Sequence, residues 1–219
     1  MRNREPAYDL RPCTIAEFRH LFETHHGYGG CGNAAVYAFA VYEHGAPVAA
    51  YLWQPPPHGA AAAVCPEAPA GVLALSRMVA VPRSERALQH ISRPLRRQMR
   101  ALIDRTRWPV LVTYSDEGQG HTGHVYLCSG WEKTTRAEVD TCTVDGVRVS
   151  RYSNGKTTMK GDRGTTWIQR WEHWACPRGE AALWMAEAGW VREAIPGKVW
   201  RSGRQAHRWV RREPMREAA

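Results

Sequence analysis

The sequence predicts an α+β domain in which a mixed sheet is flanked by helices, and three observations carry that expectation. Strand-like runs come first and then alternate helix, strand, helix, strand, an order that favours a mixed sheet covered on its faces. A chain of 219 residues with 43% hydrophobic and 23% charged residues can bury one sizeable core. The third is where the chemistry falls: Arg77 and Asp116 belong to strand-like segments that run toward loops or helices, the places where open sheets build sites.

The elements follow in order. Residues 14–24, TIAEFRHLFET, carry Ile15, Phe18, Leu21 and Phe22 on one helical face, with Thr14 and Glu17 spelling a capping box. The glycine-dense loop HHGYGGCGN follows. AVYAFAVYEHGAPVAAYLW then reads as two strands around a turn at Gly45. Residues 55–71 hold so many Pro and small residues that a surface loop is expected. VLALSRMVAVP is a strand interrupted by Ser76 and Arg77. A basic amphipathic helix comes next, with Leu88, Ile91, Leu95, Met99, Leu102 and Ile103 on its apolar face. Pro94 kinks or divides that helix unless its second half starts near Ser92. WPVLVTYS, 108–115, is the clearest buried strand. Strand-like pieces at 137–144 and 147–152 meet at an Asp145-Gly146 turn, and SNGKTTMKGDRGTT then reads as loose. Residues 180–188 look helical and 199–210 look like one or two strands.

The formal charge is +9, from 30 Lys+Arg against 21 Asp+Glu. The excess is clustered: eight Arg lie between Arg83 and Arg107, and one Lys and six Arg lie from Lys198 onward. Such clusters suit a polyanion, or they are simply solvated faces. Six cysteines at 13, 31, 65, 128, 142 and 176 form no C-x-x-C pair, so they read as reduced thiols rather than as a zinc or redox motif. No segment is long and apolar enough to span a membrane, and the start lacks the apolar core of a secretion signal. The expectation is a cytoplasmic protein without a membrane partner.

The stretch VTYSDEGQGHTGHVYLCSGW concentrates reactive groups. Asp116 ends the buried strand, where a carboxylate can act as general base or metal ligand, or merely cap a turn. His121, between glycines, can position substrate, relay a proton or bind metal. Tyr126 can donate a proton or simply pack its ring. Arg77 is a charge inside an apolar strand, so it either pairs with a carboxylate or holds an anionic or carbonyl group; Ser76 can assist by hydrogen bonding. His25, His26 and Tyr28 precede or punctuate glycines that let the loop approach a ligand.

The element order resembles the GNAT acyltransferase fold, and Tyr126-Leu-Cys-Ser-Gly130-Trp131 is similar to that fold's Y-x-x-x-G-F/W ending. A narrower resemblance is more specific. ALSRMVAVPRSERALQHISRPLR and PVLVTYSDEGQGHTGHVYLCSGW resemble the L-S-R-hydrophobic and S/T-Y-A/S-D-x-x-x-G-H-x-G-x-x-Y-x-x-x-x-W segments of the Mom family, phage GNAT-like proteins that hypermodify adenine in DNA. VDGVRVSRYSNGKT and GKVWRSGRQAHRWV resemble later parts of that family more loosely. Either His25-His26 or His26-Gly27-Tyr28 corresponds to the family's early His-Tyr.

This resemblance implies a GNAT-like core over 1–152 and a Trp/Arg-rich extension over 153–219 that completes the sheet and contributes to DNA binding. It implies transfer of an acyl-like or carbamoylmethyl-type group to the exocyclic amine of adenine, in an anti-restriction role. Asp116, His121, Tyr126, Arg77 and Ser76 are then the catalytic set. His25, His26, Tyr28, Arg93, Arg97, Trp131, Lys198, Arg201 and Arg204 are expected to meet substrate or double-stranded DNA. The donor is an acyl-type compound of unknown identity. The turn Arg83-Ser-Glu-Arg-Ala-Leu-Gln-His lacks the glycines with which acetyl-CoA-binding members cradle pyrophosphate, which argues against ordinary acetyl-CoA use. Iron is the metal the resemblance implies, with His25, His26 and Asp116 as its ligands. A homodimer is open. The alternatives are a conventional acetyl-CoA-dependent N-acetyltransferase acting on a small amine or peptide, and a non-catalytic nucleic-acid-binding protein on the same scaffold.

Overall fold

The capping box at Thr14 and Glu17 starts the first helix: the Thr14 hydroxyl accepts the Glu17 N–H while the Glu17 carboxylate accepts the Thr14 N–H. In a computed structural model, residues 8–26, 35–81, 91–105, 107–144, 147–149, 161–199 and 205–211 are described. They form β1 (Tyr8–Pro12), α1 (Ile15–His25), β2 (Tyr37–Glu43), β3 (Ala46–Gln54), α2 (His58–Val64) and β4 (Val72–Ala80). Then come α3 (Ser92–Arg105), β5 (Val110–Asp116), α4 (His124–Ser129), β6 (Glu132–Val144), β7 (Val147–Val149) and β8 (Asp162–Trp174). The described residues end with α5 (Ala181–Glu187), β9 (Trp190–Val199) and β10 (Gln205–Arg211).

Eight strands form one sheet in the order β1-β2-β3-β4-β5-β8-β6-β7, while β9 and β10 make a separate antiparallel ribbon. Within the large sheet β4 and β5 run parallel and the other neighbours antiparallel. The expected α+β mixed sheet is present. β8, from the Trp-rich part of the chain, is a central strand lying between β5 and β6.

Two local expectations are corrected, one strand is new and one open alternative is settled. Residues 55–71 are not a plain loop: His58–Val64 is helical, because Ala60 to Ala63 are strong helix formers and Ala61 and Val64 find burial against the sheet. The loose stretch after 152 tightens into β8 already at Asp162, where β6 supplies a full antiparallel partner. β1 carried no sequence signal; it is a short edge strand held by pairing with β2. For Pro94 the alternative of a start near Ser92 is realised: α3 begins at Ser92, and Pro94 falls in its first turn.

Each sheet face has its own core. On one, α3 and α4 lay Leu95, Met99, Leu102 and Tyr126 over Leu73, Leu75, Leu111 and a group of tryptophans, Trp53, Trp131 and Trp171. On the other, α1 covers Ala50, Leu52 and Val79 through Phe18, Leu21 and Phe22, while α2 and α5 cover Val72, Ala74, Val110 and Val112. Most of the late tryptophans therefore serve packing. The fully buried Glu172 ties this second face together: it meets Arg170 at 2.7 Å, Arg178 at 2.6 Å and the Trp174 Nε1–H at 2.8 Å. Burial alone would raise its pKa, but the Trp174 and Arg178 hydrogen bonds and the two guanidinium charges outweigh that and hold it below the usual carboxylate range.

Candidate active site

β4 and β5 pair only over Val72–Ala74 and Val110–Val112. Beyond that they part, because β4 stays hydrogen-bonded to β3 up to Ala80 while β5 follows β8 up to Asp116. The result is a wedge in the middle of the sheet whose backbone groups on β4 and β5 no longer face each other. At its apex the Thr113 hydroxyl donates to the Leu75 carbonyl at 3.1 Å.

A β-bulge decides which side of the wedge Arg77 serves. Leu52 pairs with Arg77 but Trp53 pairs with Leu75, so Ser76 is the extra residue on β4. Leu73 and Leu75 lie in the α3/α4 core, whereas Arg77 sits opposite Leu52 in the α1 core. In an unbroken strand Arg77 would share the face of Leu75; the bulge moves it to the other. The Ser76 hydroxyl donates to the Leu52 carbonyl at 3.1 Å, and Arg77 Nη1 donates to the Ser76 carbonyl at 2.7 Å. Ser76 thus positions Arg77.

Asp116 lies on the same face as Arg77, by the alternation that puts Val110 and Val112 there and Leu111 on the reverse. It is buried, at 4% exposure, and its Oδ1 accepts the Thr166 hydroxyl at 2.8 Å and the Gly118 N–H at 3.0 Å. It also caps the 3-10 turn Glu117–Gln119, so the capping reading of this residue is realised together with a rigid, desolvated placement. Thr166 had no sequence signal of its own; only the β5–β8 and β6–β8 register brings it there.

The loop after Asp116 folds back, with the His121 N–H donating to the Asp116 carbonyl at 3.2 Å. From α1, His26 arrives at the same place. Burial, the Arg77 guanidinium and His121 push its pKa down to about 4, so it is neutral at ordinary pH. Of the two early histidines, His25 is exposed on the last turn of α1, while His26 follows the helix end and packs its ring on Phe22. The structure thus selects His26 as the one that joins Arg77 and His121. Tyr28, Arg201 and Arg204 lie outside the described residues, as does the glycine-free turn Arg83–His90.

Tyr126 reaches the wedge from the opposite face. It is 8% exposed, packed by Trp131 and Trp171, and hydrogen-bonded to Thr113 at the apex. Burial raises its pKa further than the Thr113 contact lowers it, so the phenol stays protonated. Its helix needs Gly123: φ is +71°, and a Cβ there would overlap the Trp171 ring. Trp131 corrects an expectation, since it is 3% exposed and stacked on Trp53, where no base can reach it. Arg93 and Arg97 are exposed on α3, behind the sheet from Asp116, and Lys198 is exposed on β9.

Iron does not suit the described residues. Among them no three His, Cys, Asp or Glu side chains gather to hold a metal ion, His25 is exposed, and His26 has the positive charge of Arg77 as a neighbour. Among the described residues, too, no helix is long and apolar enough to cross a membrane.

Comparison with solved structures confirms the fold. A protein described as a "probable acetyltransferase" from Staphylococcus epidermidis superposes with a TM-score of 0.50 at 9% identity, covering 78% of this chain and 100% of that one. An apo agmatine N-acetyltransferase mutant gives 0.47 at 11% identity, covering 77% and 100%. A GNAT family acetyltransferase from Elizabethkingia anophelis with acetyl-CoA bound gives 0.41 at 10% identity, covering 76% and 97%. No curated protein matches the chain. The architecture is that of the GNAT acyltransferases, and a family model matches residues 7–178, well over half of the sequence: the chain belongs to the Mom protein family.

Proposed function

We propose that this protein is a DNA-modifying transferase of the Mom type, which places an acyl-like or carbamoylmethyl-type group on the exocyclic amine of adenine. One observation supports this above the others. His26, brought to the end of α1, lies within electrostatic reach of Arg77 and His121, and Asp116, whose carbonyl accepts the His121 N–H, lies on the same sheet face as Arg77 where β4 and β5 part.

In this reading Asp116 takes the proton that the adenine amine loses as its nitrogen bonds to the transferred carbon. Its fixed Oδ1 contacts hold the carboxylate still for that step. Arg77, aimed by the bulge, stabilises the negative charge that develops on the donor's carbonyl oxygen or carboxylate. His26, which is neutral, accepts a hydrogen bond from the amine, and His121 helps to orient it. Tyr126, protonated and at the wedge apex from the other side, supplies the proton that the departing group needs. A paired adenine cannot reach a buried carboxylate, so the base leaves the stack to react.

The test is a mass spectrum of nucleosides from DNA of cells expressing the chain. Wild type is expected to yield an altered deoxyadenosine. Asp116→Asn keeps an oxygen for Thr166 and Gly118 but cannot take the proton, and should lower the yield by about a hundredfold or more. An unmodified wild-type sample, or an unchanged yield with Asp116→Asn, overturns the reading. Saturable acetyl-CoA binding with CoA release on a small amine would favour a conventional acetyltransferase instead.

A further inference from the structure

Tyr114 is out of place for a central strand. Its neighbours Thr113, Ser115 and Asp116 are 1%, 2% and 4% exposed, yet its ring is 40% exposed although strands lie on both sides of β5. Among the described residues, no helix covers that part of the face, which leaves a large aromatic side chain open in mid-sheet. α1 lies over β2 to β4 on one side of the gap, and α2 and α5 cover the lower half of β5 on the other.

The face is the reacting one. Strand alternation puts Tyr114 with Val110, Val112 and Asp116, and the Ser76 bulge brings Arg77 to the same side. We propose that the Tyr114 ring is the platform on which the planar purine of the acceptor stacks, delivering its edge amine to Asp116 one pleat repeat away. This rests on the function proposed above.

The ring's cross-strand neighbour is held in place. Arg170 pairs with Tyr114 across the ladder, and its guanidinium is held by Glu172 at 2.7 Å, by the Thr135 hydroxyl at 2.9 Å and by the Ala63 carbonyl at 3.3 Å. Burial and Glu172 raise the Tyr114 pKa against the opposing pull of Arg170, so the ring is neutral with its O–H intact. The other aromatic side chain that stands out as exposed among the described residues, Trp167, is no competitor. It alternates with Thr166 and Ile168 onto the α3/α4 face, and the Arg136 guanidinium lies over its ring at 4.1 Å, clamped by Glu117. Trp53, Trp131 and Trp171 are committed to the core.

The experiment uses the full chain and a single-stranded oligonucleotide carrying 2-aminopurine, a fluorescent adenine analogue that is quenched on stacking. Wild type and Tyr114→Phe should bind and quench it alike. Tyr114→Ile, which suits a strand but lacks a ring, should weaken binding about five- to hundredfold and lose the quench, with an unchanged melting temperature. Equal binding and quench by wild type and Tyr114→Ile overturns the platform. Ring-dependent quenching without any altered deoxyadenosine in cellular DNA would leave the platform standing and sink the proposed reaction. Altered deoxyadenosine at the wild-type level from Tyr114→Ile would do the reverse.

Discussion

At the scale of single residues, His25 and His26 show how much a neighbour in sequence can differ in environment. The sequence offers them as equivalents, and the end of α1 separates them: one side chain remains on the exposed last turn and the other settles against Phe22, within electrostatic reach of Arg77 and His121. This has a consequence for stability. The unfolded histidine titrates near 6.5 and the folded one near 4, so between those pH values the unfolded chain binds a proton that the folded chain refuses. Stability is then complete above about pH 6.5 and falls as the pH drops toward about 4. Melting temperatures across that window should decline for wild type and decline less for His26→Gln; parallel curves would mean that His26 is not the group responsible. Asp116 was legible as a candidate from the sequence, because a carboxylate ending an apolar strand in a glycine-rich turn is unusual. Thr166, which fixes it, was not, since fifty positions separate them and only strand register joins them.

At the scale of elements, the bulge in β4 carries the functional geometry. A sequence reader sees Ser76 and Arg77 as polar interruptions of a strand, but cannot see which residue is extra, because that depends on how β3 pairs. Ser76 acts through Arg77, and its hydroxyl contributes the bond to Leu52 that steadies the bulge. Ser76→Ala should cost about 1 kcal/mol in a urea titration, while keeping the bulge and most of the modification. Arg77→Met should instead abolish modification with little change in stability. If both variants lose activity equally, Ser76 does more than position Arg77. The helical character of 58–64 was missed for a related reason: Pro and Ala composition suggested a loop, but burial of Ala61 and Val64 on Val72, Val110 and their neighbours makes a short helix worthwhile.

At the scale of the whole molecule, the two basic clusters occupy different places. α3 presents Arg93, Arg97 and Arg100 behind the sheet, while the β9–β10 ribbon presents Lys198 and Arg211, and the large sheet's wedge opens its reactive side toward α1. On the proposed function, DNA affinity should fall steeply with salt, by a log–log slope of about −0.9 for each phosphate contact. Lys198→Ala and Arg97→Ala, measured separately, assign the duplex to the ribbon or to α3 by which one shallows the slope by about 1. A wild-type affinity that ignores salt would remove DNA as the partner. The amino-acid sequence by itself determined the α+β class, the first helix and its cap, the β2–β3 hairpin, the strand ending at Asp116 and the family, because each of these is written in local periodicity, turn chemistry or contiguous motif. The tertiary structure alone decided that His26 rather than His25 joins the site, that Arg77 crosses to the face of Asp116, that Tyr126 approaches from behind and that Trp131 is core. Those outcomes depend on strand register, on one inserted residue and on which face a helix covers, and pairings between distant segments leave no mark in the local order of residues.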